Sequence, residues 1–233
     1  MIVAINQPAY LPWLGYFDRI DYVDKYIVLD HVQFEKNSFV NRNKILSSNG
    51  GIWLTVPIQS KGRFGDLAID TILTDDKTKW AKKHLTSIQQ NYSKSPFFEK
   101  YFYELEKIYT QDWQKLIDIT ETLNQFFLAS LHIKTEILYS SSLQIESTKS
   151  DLVLDLCEKV GALTYISGKL GRDYLEIGKF QAKNIKVLFQ EYQHPKYPQR
   201  FEGFEPYMSI LDLLFNCGDE SIEIIRKGRN FVV

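Results

Sequence analysis

Within its first thirty residues the chain passes from an apolar run, Ile2-Val3-Ala4-Ile5, through a loop stiffened by Pro8 and Pro12, into a helical stretch over 13–22, and out into Tyr26-Ile27-Val28-Leu29. Two apolar runs this short suit strands buried on both faces, and the span between them holds one crossover helix. Such a strand, crossover, strand unit is parallel and right-handed in almost all sheets. The opening therefore commits the chain to an α/β architecture. It also brings the carboxyl ends of both runs to one edge, where α/β sheets bind ligands. The loop that starts at that edge, 6–17, carries Tyr10, Trp13, Tyr16 and Phe17, more aromatic surface than a connecting turn needs.

Downstream, the runs 44–46 and 52–56 flank Ser47-Ser48-Asn49-Gly50-Gly51, whose Asn-Gly-Gly predicts an antiparallel hairpin. Residues 67–72 read as a returning strand, after a basic, glycine-bearing loop at 59–65 that is a candidate for mobility. Over 77–132 the apolar spacing changes to 3.6, predicting three helices, with Pro96 in the first turn of the second and an N-cap for the third near 110–112. Ser150 is expected to cap a helix over 151–160 that Gly161 closes. Strands are predicted at 163–166 and 185–189, and closing helices at 207–217 and 219–227. The expected fold is one α/β domain, 1–233, with a mainly parallel sheet, a β-hairpin and a helical insert at 77–132.

A net charge of −1 provides no basic field to draw the protein onto nucleic acid or an anionic membrane. Cys157 and Cys217 make no disulfide framework and have no metal-ligand spacing, which suits a reducing compartment. No signal-peptide pattern and no run of about 20 apolar residues occurs. These readings lead us to expect a cytoplasmic protein that binds a small molecule, without nucleic acid, membrane insertion, metal or cofactor. Oligomeric state is not set by the sequence.

Polar residues gather beside predicted strand ends in four blocks. The first supplies Gln7, Tyr10 and Trp13. The second supplies Asp30, His31, Gln33, Asn41 and Arg42, with Arg42 as a bidentate clamp for a phosphate or other oxyanion. The third, Ser167-Gly168-Lys169-Leu170-Gly171-Arg172, reaches Tyr174 and joins two cations to glycines that leave backbone N–H groups open to an anion. The fourth supplies Tyr192, His194, Tyr197 and Gln199. In this assignment Arg42, Lys169 and Arg172 hold phosphate or carboxylate, Tyr10, Trp13 and Tyr197 stack on a base or sugar, and His194 with Asp30 moves protons. His84 and His132 lie on helix faces as packing or solvent residues. Cys217 sits at a predicted helix C-terminus, where a thiol is a poor nucleophile.

The same blocks resemble the WbqC-like family of bacterial proteins: QPxYLPWxGYF at 7–17, VQFxK at 32–36, NRxxI at 41–45, SGxxGxxYL at 167–175, YxHPxYxQ at 192–199 and SxxDLLFNxG at 209–218. The resemblance spans essentially the whole chain. It implies a role in clusters that make O-antigen and other surface polysaccharides, in a cytoplasmic step that makes or decorates an activated sugar; our first hypothesis is a transferase that acts on a nucleotide-linked or activated amino sugar and adds an acyl or aminoacyl group. Trp13-Leu14-Gly15-Tyr16 is also similar to the HxGH entry of nucleotidyltransferases, which implies a related β-loop-α-β start. Trp13 and Tyr16 stand where that pattern has histidines, so its way of stabilising a phosphoryl transition state is missing. The alternative is a non-catalytic module that binds a ligand or partner on such a scaffold.

Overall fold

A computed structural model of the chain describes residues 1–60, 62, 65 and 67–233. β1 (Ile2–Asn6) and β2 (Lys25–Val28) pair in parallel, Ala4 opposite Tyr26, and α1 (Leu14–Tyr22) crosses between them. The hairpin follows as β3 (Arg42–Ser47) and β4 (Gly50–Thr55), with Ser47 opposite Gly50. Gly50 turns the chain at φ +95°, a conformation that strongly favours glycine. Three helices come next, α2 (Trp80–Tyr92), α3 (Phe98–Tyr109) and α4 (Leu116–Ser130), before β5 (Glu136–Tyr139) returns to the sheet.

The second half alternates: α5 (Lys149–Val160), β6 (Thr164–Gly168), α6 (Ile177–Ala182), β7 (Lys186–Gln190), then α7 (Ile210–Cys217), α8 (Ser221–Lys227) and a short β8 (Phe231–Val232). The six strands lie in the order β5-β2-β1-β6-β7-β8, and only β8 runs antiparallel to its neighbour. The chain lays down β1, β2 and β5 outward on one side, then crosses to the other side of β1 for β6 and β7. The order thus reverses between β1 and β6, where two neighbouring connections leave on opposite faces and open a crevice.

Period-2 alternation in β1 shows why both faces are covered. Val3 and Ile5 pack with Leu152, Leu156 and Phe180 of α5 and α6, whereas Ala4 faces the larger cluster built from α1, α2, α3, α4, α7 and α8. In that cluster Phe17 and Phe127 meet edge to face with centroids 5.9 Å apart. The aromatic stripe of the three helices is therefore core. Among the described residues no helix is long and apolar enough to cross a membrane.

Several local expectations change. Residues 67–72 do not form a strand. Ala68 makes one bridge to Gln33, and a 3-10 turn at Ile69–Thr71 follows, because a spacing of three lets both Ile69 and Ile72 reach the core. The break near 110–112 does not cap α4, which starts at Leu116 with Leu116 N–H bonded to the Ile72 carbonyl. Ser150 lies inside α5, after Thr148 at the N-cap, and its hydroxyl accepts the Glu176 N–H. Gly161 does close that helix, at φ +74°. The candidate mobile loop at 59–65 contains Lys61, Arg63 and Phe64, which lie outside the described residues.

Candidate functional site

A cavity of about 570 Å³ opens at the reversal of strand order, against the carboxyl ends of β1, β6 and β7. Asn6, Ser167, Gly168 and Gln190 form its floor at the strand ends, and Lys169, Gly171, Tyr174 and Tyr192 extend the wall. Trp13 and Phe39 line it from the proline loop and the segment before the hairpin. Arg19 enters from α1.

The proline loop is held by its backbone. Tyr10 N–H donates to the Phe39 carbonyl, Asn43 Nδ2 donates to the Leu11 carbonyl at 2.6 Å, and Ile210 N–H donates to the Pro12 carbonyl. So anchored, the loop sends Tyr10 inward and leaves Trp13 on the cavity. Trp13 begins an aromatic row, with Phe39 at 5.0 Å between centroids and Trp53 another 6.1 Å beyond. Phe39 and Trp53 are 45% and 44% exposed.

Arg19 and its neighbour Asp18 are both buried, and they differ sharply in company. Asp18 accepts from Arg229 Nε and from Gln190 Nε2, each at 2.8 Å. Burial raises its carboxyl pKa, while Arg229 and Gln190 draw it back. One turn along, Asp21 accepts from both Arg226 and Arg229, which hold its carboxyl below the usual range against the opposing effect of burial. Arg19, 4% exposed, has no ion pair and no hydrogen bond among the described residues, and its Nε is enclosed without an acceptor. Its charge falls instead on phenols. Burial raises the Tyr174 phenol, and Arg19 opposes that rise.

Of the residues expected at the site, Trp13, Ser167, Gly168, Lys169, Gly171, Tyr174 and Tyr192 line this cavity. Tyr192 also donates to the Ile225 carbonyl, and Gly171 lies so close to Ser167 Oγ that any side chain would displace it. Arg172 turns aside to Glu191 at 3.4 Å and lies over the Phe189 ring. The segment at 169–173 is a 3-10 turn, so no long helix dipole points at the cavity.

The other candidates lie elsewhere. Tyr10 is in the core, its hydroxyl 2.8 Å from His84 Nδ1 and 2.5 Å from the Tyr109 hydroxyl. Asp30 accepts from Ser140 Oγ, Ser141 N–H and Ser141 Oγ, at 2.9, 2.9 and 2.6 Å, and His31 joins through Ser140. Gln33 accepts the Leu67 N–H, and Asn41 donates to the Val56 carbonyl. Arg42 donates to the Asn37 carbonyl and stacks over Trp53 at 4.5 Å. Tyr197 and Gln199 both donate to the buried Asp212, which Tyr92 also reaches. Gln7 is half-buried and is not part of the cavity wall.

His194 sits among Tyr192, Tyr197, Phe204 and Tyr207. Its Nε2 accepts the Tyr207 N–H, and its Nδ1 lies 3.0 Å from the Pro195 carbonyl. These partners require a neutral ring protonated at Nδ1, in keeping with burial lowering its pKa. With both nitrogens engaged, the ring has no lone pair left to take a substrate proton.

A second cavity, about 400 Å³, is lined by Trp80, Trp113, Asp76 and Asp112, away from the strand ends. There Trp113 Nε1 and the Thr74 hydroxyl already donate to the Ile108 and Trp113 carbonyls. Among the described residues no group of three or more His, Cys, Asp and Glu side chains comes together as metal ligands. Burial pushes the Cys217 thiol up to about 11.

Sequence reasoning missed Arg19, Phe39, Asn6 and Gln190. Every residue from Leu14 to Ile20 is buried, so α1 has no polar face from which an inward charge could be picked out.

The chain matches the WbqC-like protein family over residues 7–224. It is 36% identical over 229 residues to a protein of Mycobacterium tuberculosis (strain ATCC 25618 / H37Rv) named "Uncharacterized protein Rv1507c", an alignment that covers 97% of this chain and 98% of that one. No solved structure matches it significantly. The match runs through all four blocks and nearly the full length of both proteins, and the chain belongs to the WbqC-like protein family.

Proposed function

We propose that this protein is a cytoplasmic transferase of surface polysaccharide (O-antigen) synthesis that binds a nucleotide-linked or otherwise activated amino sugar and adds an acyl or aminoacyl group. The observation that carries this reading is the cavity at the strand-order reversal. Its volume of about 570 Å³ falls in the range of small-molecule pockets, and it sets an aromatic row against polar strand ends. Trp13 and Phe39 would stack on the base or sugar, and Ser167, Lys169 and Tyr174 would contact its polar groups. The sugar's own amine would attack the carbonyl carbon of the activated acyl donor, forming the amide as the bond between that carbon and the donor's activating group breaks and the activating group departs with the bonding electrons. Glu191 is the carboxylate on the wall and would receive the proton the amine loses.

The test is to incubate purified protein with a panel of nucleotide-linked amino sugars and acyl donors and to seek a new mass. A donor-dependent product that Glu191→Gln abolishes is the expected result. Complete absence of product across the panel would remove the transferase.

A second reading, a binding module without turnover, is favoured by one observation. Asp30 and His194, the expected proton carriers, have their polar atoms taken by internal hydrogen bonds. Tight binding without product would select it.

A further inference from the structure

We propose that Arg19 is a phosphate-binding residue, and that the ligand of the cavity carries a phosphate or diphosphate seated between α1 and the end of β6; this rests on taking the cavity as the substrate pocket. A guanidinium is seldom buried without a counter-charge, because its hydration is lost and nothing returns the energy. Arg19 is in that position, 4% exposed, with Nε enclosed and without an acceptor. A fold holds such a group where a ligand's charge completes it.

The surroundings keep the guanidinium free. Its adjacent carboxylate, Asp18, is occupied by Arg229 and Gln190, and the cavity's carboxylate, Glu191, faces Arg172. The phenols of Tyr16, Tyr26, Tyr165 and Tyr174 feel its charge and bring none of their own. A methyl group at Gly168 would lie 3.1 Å from Nη1, so the bare backbone at the end of β6 lets the guanidinium reach the cavity. A planar fork of donors suits two oxygens of one phosphate. Lys169 lines the same cavity and adds a second positive charge, which matches a dianion better than a single carboxylate.

The experiment titrates the protein with inorganic pyrophosphate and with UDP, by calorimetry and by thermal shift. Both are expected to bind and to raise Tm. Arg19→Met is expected to weaken binding of both at least tenfold, with a ligand-free Tm equal to or above that of the parent, since no charge is left stranded. A purely structural arginine would give the opposite stability result.

Should Arg19→Met fail to fold, Gly168→Val provides the second variant, because its branched side chain stands in front of Nη1 and should block the same ligands. Failure of either probe to bind the parent protein, or unchanged affinity in these variants, would overturn the proposal. Acetate and glycine run in parallel. Arg19-dependent binding of these, with none of pyrophosphate, would overturn the phosphate assignment.

The two proposals separate cleanly. Arg19-dependent pyrophosphate binding with no product from any donor supports the phosphate site and removes the transferase. Equal product from the parent protein and Arg19→Met keeps the transferase and overturns the phosphate site.

Discussion

At the carboxyl ends of β2 and β5, Asp30 receives three hydrogen bonds from Ser140 and Ser141, and His31 closes the cluster against the same serine. At the ends of β1, β6 and β7, on the same edge of the same sheet, Arg19 has no side-chain partner among the described residues and lines a cavity. Both regions hold a buried charged residue, and the sequence reading named Asp30 but not Arg19. Of the two regions, the second is the one in which an unanswered buried polar atom belongs to a residue that lines a cavity. Where every donor meets an acceptor, nothing remains for a substrate to satisfy.

This contrast can be broken most directly at Asp30. Asp30→Ala should cost roughly 4 kcal/mol in urea denaturation, because two hydroxyls and one N–H lose a charged acceptor. A stable Asp30→Ala protein that has lost its ligand would mean that the cluster is functional after all.

The Tyr10, His84 and Tyr109 group is a second closed network, and it titrates. Burial lowers His84 from 6.5 to about 4, so the folded state disfavours the proton that the unfolded chain accepts. Stability from this residue is therefore complete above pH 6.5 and declines as pH falls toward about 4, by on the order of 3 kcal/mol. Lowered His194 acts in the same direction. Denaturation curves across this window should flatten in His84→Gln; an unaltered slope would show that the ring is hydrated.

On the open side, Phe39→Ala should weaken ligand about fivefold, near 1 kcal/mol for one lost ring contact, with little change in Tm at so exposed a position. Equal affinity would move stacking to Trp13 alone. The smallest effect belongs to Arg42→Ala, which removes the stack on Trp53 and one bond to the Asn37 carbonyl, about 0.5–1 kcal/mol of stability. A tenfold loss of ligand in that variant would return Arg42 to the clamp role its sequence context suggested.

The opening strands, the hairpin, the three helices and β6–β7 were legible because each rests on local signals: an apolar run, Asn-Gly-Gly, or a 3.6 spacing. Residues 67–72 misled because Leu67, Ile69 and Ile72 are buried by a turn against the loop after β2, a partner no local pattern reveals. Of the residues that line the cavity, Gly168, Lys169 and Tyr174 were singled out from their place after a strand. Arg19 was not, because its meaning depends on Arg229 having taken Asp18, a pairing across almost the whole chain. His194 and Asp30 drew notice by residue type, and their partners, Tyr207 and Ser140, are set only by tertiary contact.

The ion pair between Arg229 and Asp18 also bears on how the molecule is made. Translation delivers α1 long before the guanidinium that claims its carboxylate, and β1 must likewise wait for β6 to arrive before its second flank is paired. A polypeptide cut short before β7 would thus lack both Gln190 and Arg229, the two side chains that hold Asp18 in the finished fold.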